Sequence, residues 1–372
     1  MSATTATTKE RAVDRYGEYA ERRLRILSIF KRERIDSFLV TALPNVRYLS
    51  GFTGSSGALL LSDDRAILFT DPRYQTQAPQ ESDCQVKIAK GPLLSEVLNW
   101  LQRLKVKRLG FERSRISFES YDLLKRQAPG VKLRPVADAV ERLRMVKSPA
   151  ETATIKAAVE LNSAALDRAL KEFRADMTEA DLAAEIEYRM RQLGADGPSF
   201  ETIVASGART ALPHAHPSSA GIKADQLLLI DMGATVAGYA SDMTRTMGVG
   251  RVEPKARRMY EAVLESQLAA IDSVKAGTLS STVDRAARRV LKKHGLDKLF
   301  VHSTGHGLGL EIHEGPRIGR TGGVALESGM TITIEPGVYV EGYGGVRIED
   351  TVVVTKDGCE VMTPTTKDLV IL

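Results

Sequence analysis

Apolar positions along the 372 residues fall into two series. From about residue 10 to 36 they recur at helical spacing, which predicts one long amphipathic helix. Short β-type runs follow at DSFLVT (36–41), GALLLS (57–62), RAILFTD (65–71) and KRLGFE (107–112). Helical stretches lie among and after them at LLSEVLNWLQRLK (93–105) and SFESYDLLKRQA (117–128). Strands alternating with helices imply an α/β domain. PGVKLRP (129–135) reads as its linker, so the expected domains are 1–135 and 136–372. The second series opens with a helix starting at SPAE, Ser148 to Glu151, where Ser and Glu have capping-box spacing and Pro sits at the first helical position. Further helices are predicted over 178–193, 254–275 and 281–294, and strands within 200–206, 226–249 and 330–356. The fold class is therefore mixed, α/β shading into α+β. The first eight residues read as disordered.

Charge changes little in this picture. Lys and Arg number 52 against 47 Asp and Glu, a net charge of +5 and a pI of about 9.0. The basic residues are interleaved with acids, as in ERRLRILSIFKRERID (21–36) and KARRMYEAVLESQLAAIDSVK (255–275). That is the pattern of solvated helix faces, so no nucleic-acid partner is expected. No apolar run approaches the ~18 residues that span a bilayer, so no membrane partner is expected either. The opening residues lack the hydrophobic stretch of a secretory signal. The two cysteines, Cys84 and Cys359, are far apart and outside any CxxC pair, which disfavours a disulfide framework and thiolate metal sites. A reducing, cytoplasmic setting fits.

The candidate chemistry lies in the second series. In LLLIDMGATVAGYASDMTRT (227–246) the continuous run Leu227 to Ile230 predicts a strand buried on both faces and ending at Asp231. A hairpin centred between Val236 and Ala237 would set Asp231 opposite Asp242. In TITIEPGVYVEGYGGVRIED (331–350) a turn centred near Gly342 would set Glu335 opposite Glu349, with Arg347 on the same face. Facing side chains lie ~5 Å apart, and two carboxylates that close demand a proton or a cation between them. Exposed hairpin acids are the plain alternative for either pair taken alone. HSTGHGLGLEIHE (302–314) holds three of the six histidines. His302 and His306 are one helical turn apart, but Gly305, Gly307 and Gly309 would each weaken a helix by ~1 kcal/mol, so irregular backbone approaching something closely is expected. Four carboxylates and an imidazole suit two divalent cations of the Mn, Co or Zn kind, and oxygen-rich ligation favours Mn or Co.

The order Asp231, Asp242, His306, Glu335, Glu349, within IDMGATVAGYASDMTRT, HSTGHGLGLEIHE, TIEPGVY and GGVRIEDT, resembles the ligand signature of the pita-bread metallopeptidases. The likeness covers roughly 140–370. NVRYLSGFTGSSGALLL (45–61) and LFTDPRYQTQA (68–78) resemble the smaller creatinase-type N-terminal domain of the aminopeptidase P and prolidase branch, where it gates substrate and supports a homodimer. His302 and PHAHP, with His214, match that branch too.

The resemblance implies two cations, with Asp242 and Glu349 bridging, Asp231 on one, and His306 and Glu335 on the other. Glu335 would also carry the proton of the attacking water to the leaving nitrogen. His313 would donate to the scissile carbonyl, His302 and His214 would line the proline pocket and shuttle protons, and Arg347 would orient ligand carboxylates. The expected substrates are peptides with proline at the second position. Xaa-Pro aminopeptidase is the first expectation and Xaa-Pro dipeptidase the alternative. A non-catalytic binding relative would be expected to lack ligands, and a creatinase-like amidinohydrolase does not share this set. Phe200 departs from the tyrosine of some aminopeptidases P and is assigned only apolar packing. His216 is expected to be exposed, and His294 to end a helix.

Overall fold

The computed structural model describes residues 8–321 and 323–372, so most of the segment expected to be disordered lies outside the described residues. The chain parts into two compact units between Arg144 and Met145.

The first unit is built on a six-stranded sheet. Its order is Gln85–Ile88, Arg65–Thr70, Gly57–Ser62, Ser37–Val40, Arg108–Glu112, Lys132–Val136. Gly57–Ser62 and Arg65–Thr70 form an antiparallel hairpin, whereas Ser37–Val40, Arg108–Glu112 and Lys132–Val136 run parallel. Four of these strands match the apolar runs. The segment read as a linker is instead the edge strand: Lys132–Val136 pairs with Arg108–Glu112 along its length. It is polar and mostly exposed, and its Pro135 is tolerable only at a sheet edge, so periodicity could not reveal it. The expected 10–36 helix is two, Thr8–Leu27 and Phe30–Glu33, and Arg34 in a left-handed conformation (φ 54°) ends the second.

In the second unit the long helix Pro149–Lys171 begins with the predicted capping box. Ser148 Oγ accepts from Glu151 N at 3.2 Å, and Glu151 Oε2 accepts from Ser148 N at 3.0 Å. This helix and Glu179–Gln192 pack through Leu166, Leu182 and Ile186 on Leu228 and Ile230 of the strand Gln226–Met232. The opposite face of that strand carries Leu229, which clusters with Ile203 and Ala205 of the neighbouring strand and with Ala215 and is fully buried, so the strand is buried on both sides. Helices Pro254–Asp272 and Ser280–Lys293 cover Ile332, Ile334 and Val352 of a five-stranded sheet, ordered Glu314–Ile318, Gly305–Gly307, Thr331–Ile334, Asp350–Val354, Cys359–Val361. Among the described residues no helix is long and apolar enough to cross a membrane.

Two registers decide where the acids fall. Thr331–Ile334 pairs with Asp350–Val354 so that Ile334 faces Asp350, and Gly337 faces Arg347 in the ribbon beyond. Continuing that register sets Glu335 opposite Glu349, as the sequence implied. The other hairpin differs. Gln226–Met232 pairs with Met243–Val249 so that Asp231 faces Thr244, not Asp242. The turn is the cause: Val236 faces Tyr239 across Ala237 and Gly238, both at positive φ (45° and 74°). A two-residue turn of that kind fixes the register. Asp242 remains on the face of Thr244, two residues away, and so lies diagonal to Asp231.

Candidate metal centre

Two ribbons and one short strand converge on a cavity of ≈ 630 Å³ lined by Asp231, Asp242, His306, Glu335 and Glu349, together with His214, His302, His313 and Arg347. Asp242 and Glu349 are buried at 5% and 1% exposure, which open water would not require of two acids. Ligand atoms of Asp242, His306 and Glu349 all lie within 4.8 Å of one another. His306 Nε2 is 3.5 Å from Asp242 Oδ2 and 3.7 Å from Glu335 Oε1. The main chain holds the ribbons together here: Glu335 N donates to Thr304 O (2.7 Å), and Glu349 N to Thr244 O (3.1 Å).

His306 sits on the strand Gly305–Gly307, whose glycines have a packing cause. A Cβ on Gly305 would lie 1.9 Å from Thr333 O, and one on Gly307 2.0 Å from Gly315 O. The close approach expected from the sequence is therefore to neighbouring strands. His306 Nδ1 is 2.9 Å from Gly307 O. A carbonyl only accepts, so Nδ1 carries the proton and the Nε2 lone pair faces the acids.

Arg347 is the buried cation of the site. Its Nη2 donates to Asp231 Oδ2 at 2.6 Å, Nη1 to Tyr339 OH at 2.8 Å and to Pro213 O at 3.2 Å, and Nε to Thr244 Oγ1 at 3.0 Å. Asp231 Oδ1, buried, has no hydrogen-bond partner.

Charge crowding shows in the proton affinities. Burial, then the neighbouring Glu349 charge, push Glu335 up to about 8. Burial raises Asp242 well above the usual carboxylate range, with Asp231 and Glu335 adding to it. Burial and Asp242 raise Glu349 likewise. The set fits divalent cations: an orphaned carboxylate oxygen, acids that cannot all ionise without a counter-charge, and an imidazole lone pair aimed among them.

The remaining histidines divide. His302 Nδ1 is 2.8 Å from Ser303 O, and Nε2 2.8 Å from Tyr339 OH. Burial and Arg347 push it down to about 4, so it is neutral and both ring nitrogens are engaged. His302 lines the cavity, with Nδ1 also 3.9 Å from Glu335 Oε2. His313, exposed at the cavity, has its ring 4.5 Å from that of His306 and is lowered by burial and by His306. His214 is exposed on the cavity wall. His216 is exposed, with Nδ1 3.0 Å from Glu201 Oε1. His294 ends the helix Ser280–Lys293, with Nε2 2.7 Å from Glu265. Phe200 lines the cavity and packs against Gly233.

Three residues escaped the sequence reading. Tyr339 shares the strand face of Glu335, four residues on, an alternation that could have found it. Thr244 was hidden by the mistaken register. Arg317 also lines the cavity, and its Nε donates to Ser303 Oγ at 2.6 Å. Nothing in the pattern around it separates it from a surface arginine.

Buried acids, an imidazole and a guanidinium around one cavity make a site compatible with divalent cations. Residues 153–356 match the metallopeptidase family M24, and residues 22–146 match the creatinase/prolidase N-terminal domain. The chain belongs to family M24 and is a metallopeptidase. It is 37% identical over 93% of its length to an Xaa-Pro dipeptidase of Pyrococcus horikoshii, covering 97% of that protein. Among solved structures, an Xaa-Pro dipeptidase from Bacillus anthracis superposes with a TM-score of 0.92 at 38% identity, covering 95% of this chain and all (100%) of that one. An X-Pro aminopeptidase from Thermotoga maritima does so at 0.88 and 36%, covering 94% and 99%.

Proposed function

We propose that this protein hydrolyses the Xaa-Pro bond of dipeptides, with Asp231, Asp242, His306, Glu335 and Glu349 holding two divalent cations. This reverses the order of substrate classes expected from the sequence. Relatives named Xaa-Pro dipeptidase support the reversal, and so does Arg317. A dipeptide carries its free carboxylate on the proline itself, close to the scissile bond. A cation in the same cavity is what recognising it requires. Arg347 is committed to Asp231, whereas Arg317 has no carboxylate partner among the described residues. That guanidinium is the observation that carries the reading.

Cations at this site supply Lewis acidity and lower the pKa of a water toward ~7. The oxygen-rich donor set favours Mn or Co. The protein supplies the rest. A proline nitrogen in an amide bond has no hydrogen, so it must gain a proton to leave. Glu335, on the cavity wall beside His306, is placed to take the proton of the attacking water and deliver it to that nitrogen. His313, on the cavity wall with its ring beside that of His306, donates to the carbonyl oxygen as negative charge develops there. Arg347 keeps Asp231 turned with one oxygen toward the cavity, and His302 packs behind the proline ring.

The test is hydrolysis of Gly-Pro against Gly-Pro-Ala by chelated protein given back Mn, Co or Zn. Gly-Pro is expected to be cleaved with kcat/KM at least about tenfold above the tripeptide, and R317Q should raise KM for Gly-Pro by about tenfold, the worth of one charge-assisted contact. Preference for the tripeptide would restore the aminopeptidase reading, which the likeness to the Thermotoga maritima enzyme favours. Failure to cleave either peptide with any metal would remove both.

A further inference from the structure

Thr244 stands opposite Asp231 on the strand Met243–Val249 and is completely buried. Its Oγ1 accepts from Arg347 Nε at 3.0 Å and donates to Glu349 Oε2 at 2.7 Å. The direction of this chain is forced. A guanidinium nitrogen only donates and a carboxylate holding a cation is ionised and only accepts, so the hydroxyl hydrogen goes to Glu349. Arg347 therefore acts on two of the candidate ligands: directly on Asp231 through Oδ2 (2.6 Å), and through Thr244 on Glu349 through Oε2. One oxygen of each acid is thereby fixed. For Asp231 the oxygen left over is the buried one with no partner.

We infer that Thr244 is a positioning residue for the cation site, its hydroxyl transmitting the hold of Arg347 to Glu349 and so fixing how that carboxylate presents itself to the cavity. The inference rests on the two-cation reading above. It separates Thr244 from the other buried threonines nearby. Thr246, two residues on and on the same strand face, uses its hydroxyl only on the main chain of Arg347, accepting from N at 3.1 Å and donating to O at 2.9 Å. Thr351 donates to Asp242 O (3.0 Å), and Thr333 accepts from His306 N (3.2 Å), again main-chain atoms. Among the described residues Thr244 alone of these four touches the side chain of a candidate ligand. Thr246 is thus a built-in comparison: the same residue type, equally buried, on the same strand, without the link.

The experiment is titration of the chelated full-length protein with Mn²⁺ by calorimetry, alongside thermal unfolding of the cation-free protein. T244V removes the hydroxyl at constant shape and should weaken Mn²⁺ binding about tenfold to a hundredfold, the usual effect of losing a partner that orients a metal ligand. T244S keeps the hydroxyl and should stay within about threefold of the wild type. T246V should lower the unfolding temperature yet also bind within about threefold, since neither variant loses such a partner. Should T244V not fold, T244A against T246A reads the same difference. Wild-type affinity in T244V, equal weakening in T246V, or weakening in T244S as large as in T244V would each overturn the inference while leaving the cation site intact. A wild-type protein that binds no Mn²⁺ would instead overturn the two-cation reading, and this inference with it.

Discussion

Withdrawing the cations should make the fold sensitive to rising pH. Four carboxylates would then share one cavity with Arg347 as the buried counter-charge. Glu335 is raised from its ordinary 4.5 to about 8, burial being the main cause and Glu349 the next. Its folded-state pKa lies above the unfolded one, so between those values the folded protein binds more protons than the unfolded chain. Stability is then fully present below 4.5 and falls as pH rises to about 8. His302 works the other way. Pushed down from 6.5 to about 4, it weakens the fold as pH falls through that range. The clean window is therefore 6.5 to 8, where only the acids act. At about 1.4 kcal/mol per pH unit, Glu335 alone removes ~2 kcal/mol there. For a unit of this size that is a fall of about 4–8 °C in unfolding temperature. Asp242, raised by burial and then by Asp231 and Glu335, and Glu349, raised by burial and then by Asp242, act in the same direction. The assay is thermal unfolding of chelated protein at pH steps from 6.5 to 8, repeated with Mn²⁺ and with E335Q. The chelated wild type should lose stability across the window. The loaded protein should not, because its cations compensate the ionised acids, and E335Q should show a shallower fall. A flat or rising curve for the chelated wild type would mean that these acids do not share a buried field, and the reasoning would be refuted.

H306A should lose cation binding and activity together, read by metal content and Gly-Pro hydrolysis, because Nε2 faces Asp242 and Glu335. H313A should keep the cations and lose kcat by about 10²–10³, the usual effect of removing one oxyanion donor; normal turnover would exclude that role. G305A should fail to accumulate as folded protein or melt far below the wild type, since its Cβ would sit 1.9 Å from a main-chain oxygen of the adjacent strand, whereas G323A, with open space around it, should melt normally.

Local chemistry is what the sequence by itself determined. The capping box at Ser148 and Glu151 needs only residues three apart, and it forms as read. Leu227 to Ile230 are buried on both faces because a continuous apolar run leaves no polar side to expose. Alternation and turn length placed Glu335 against Glu349 because one hairpin contains both. What failed were features set by neighbours in space. The 132–136 edge strand is held by main-chain bonds to Arg108–Glu112, which polar side chains cannot announce. Asp231 meets Thr244 because two left-handed residues form the turn, one of them an alanine that carries no such signal. Gly305 answers to Thr333 on a strand nearly thirty residues away (its Cβ would lie 1.9 Å from Thr333 O). The guanidinium that grips Asp231, the hydroxyl that passes its hold to Glu349 and the arginine at the cavity wall are close only once the ribbons are folded together. Contact across sequence distances of more than a hundred residues leaves no period to read, so tertiary structure alone decided which oxygens of the acids stay free.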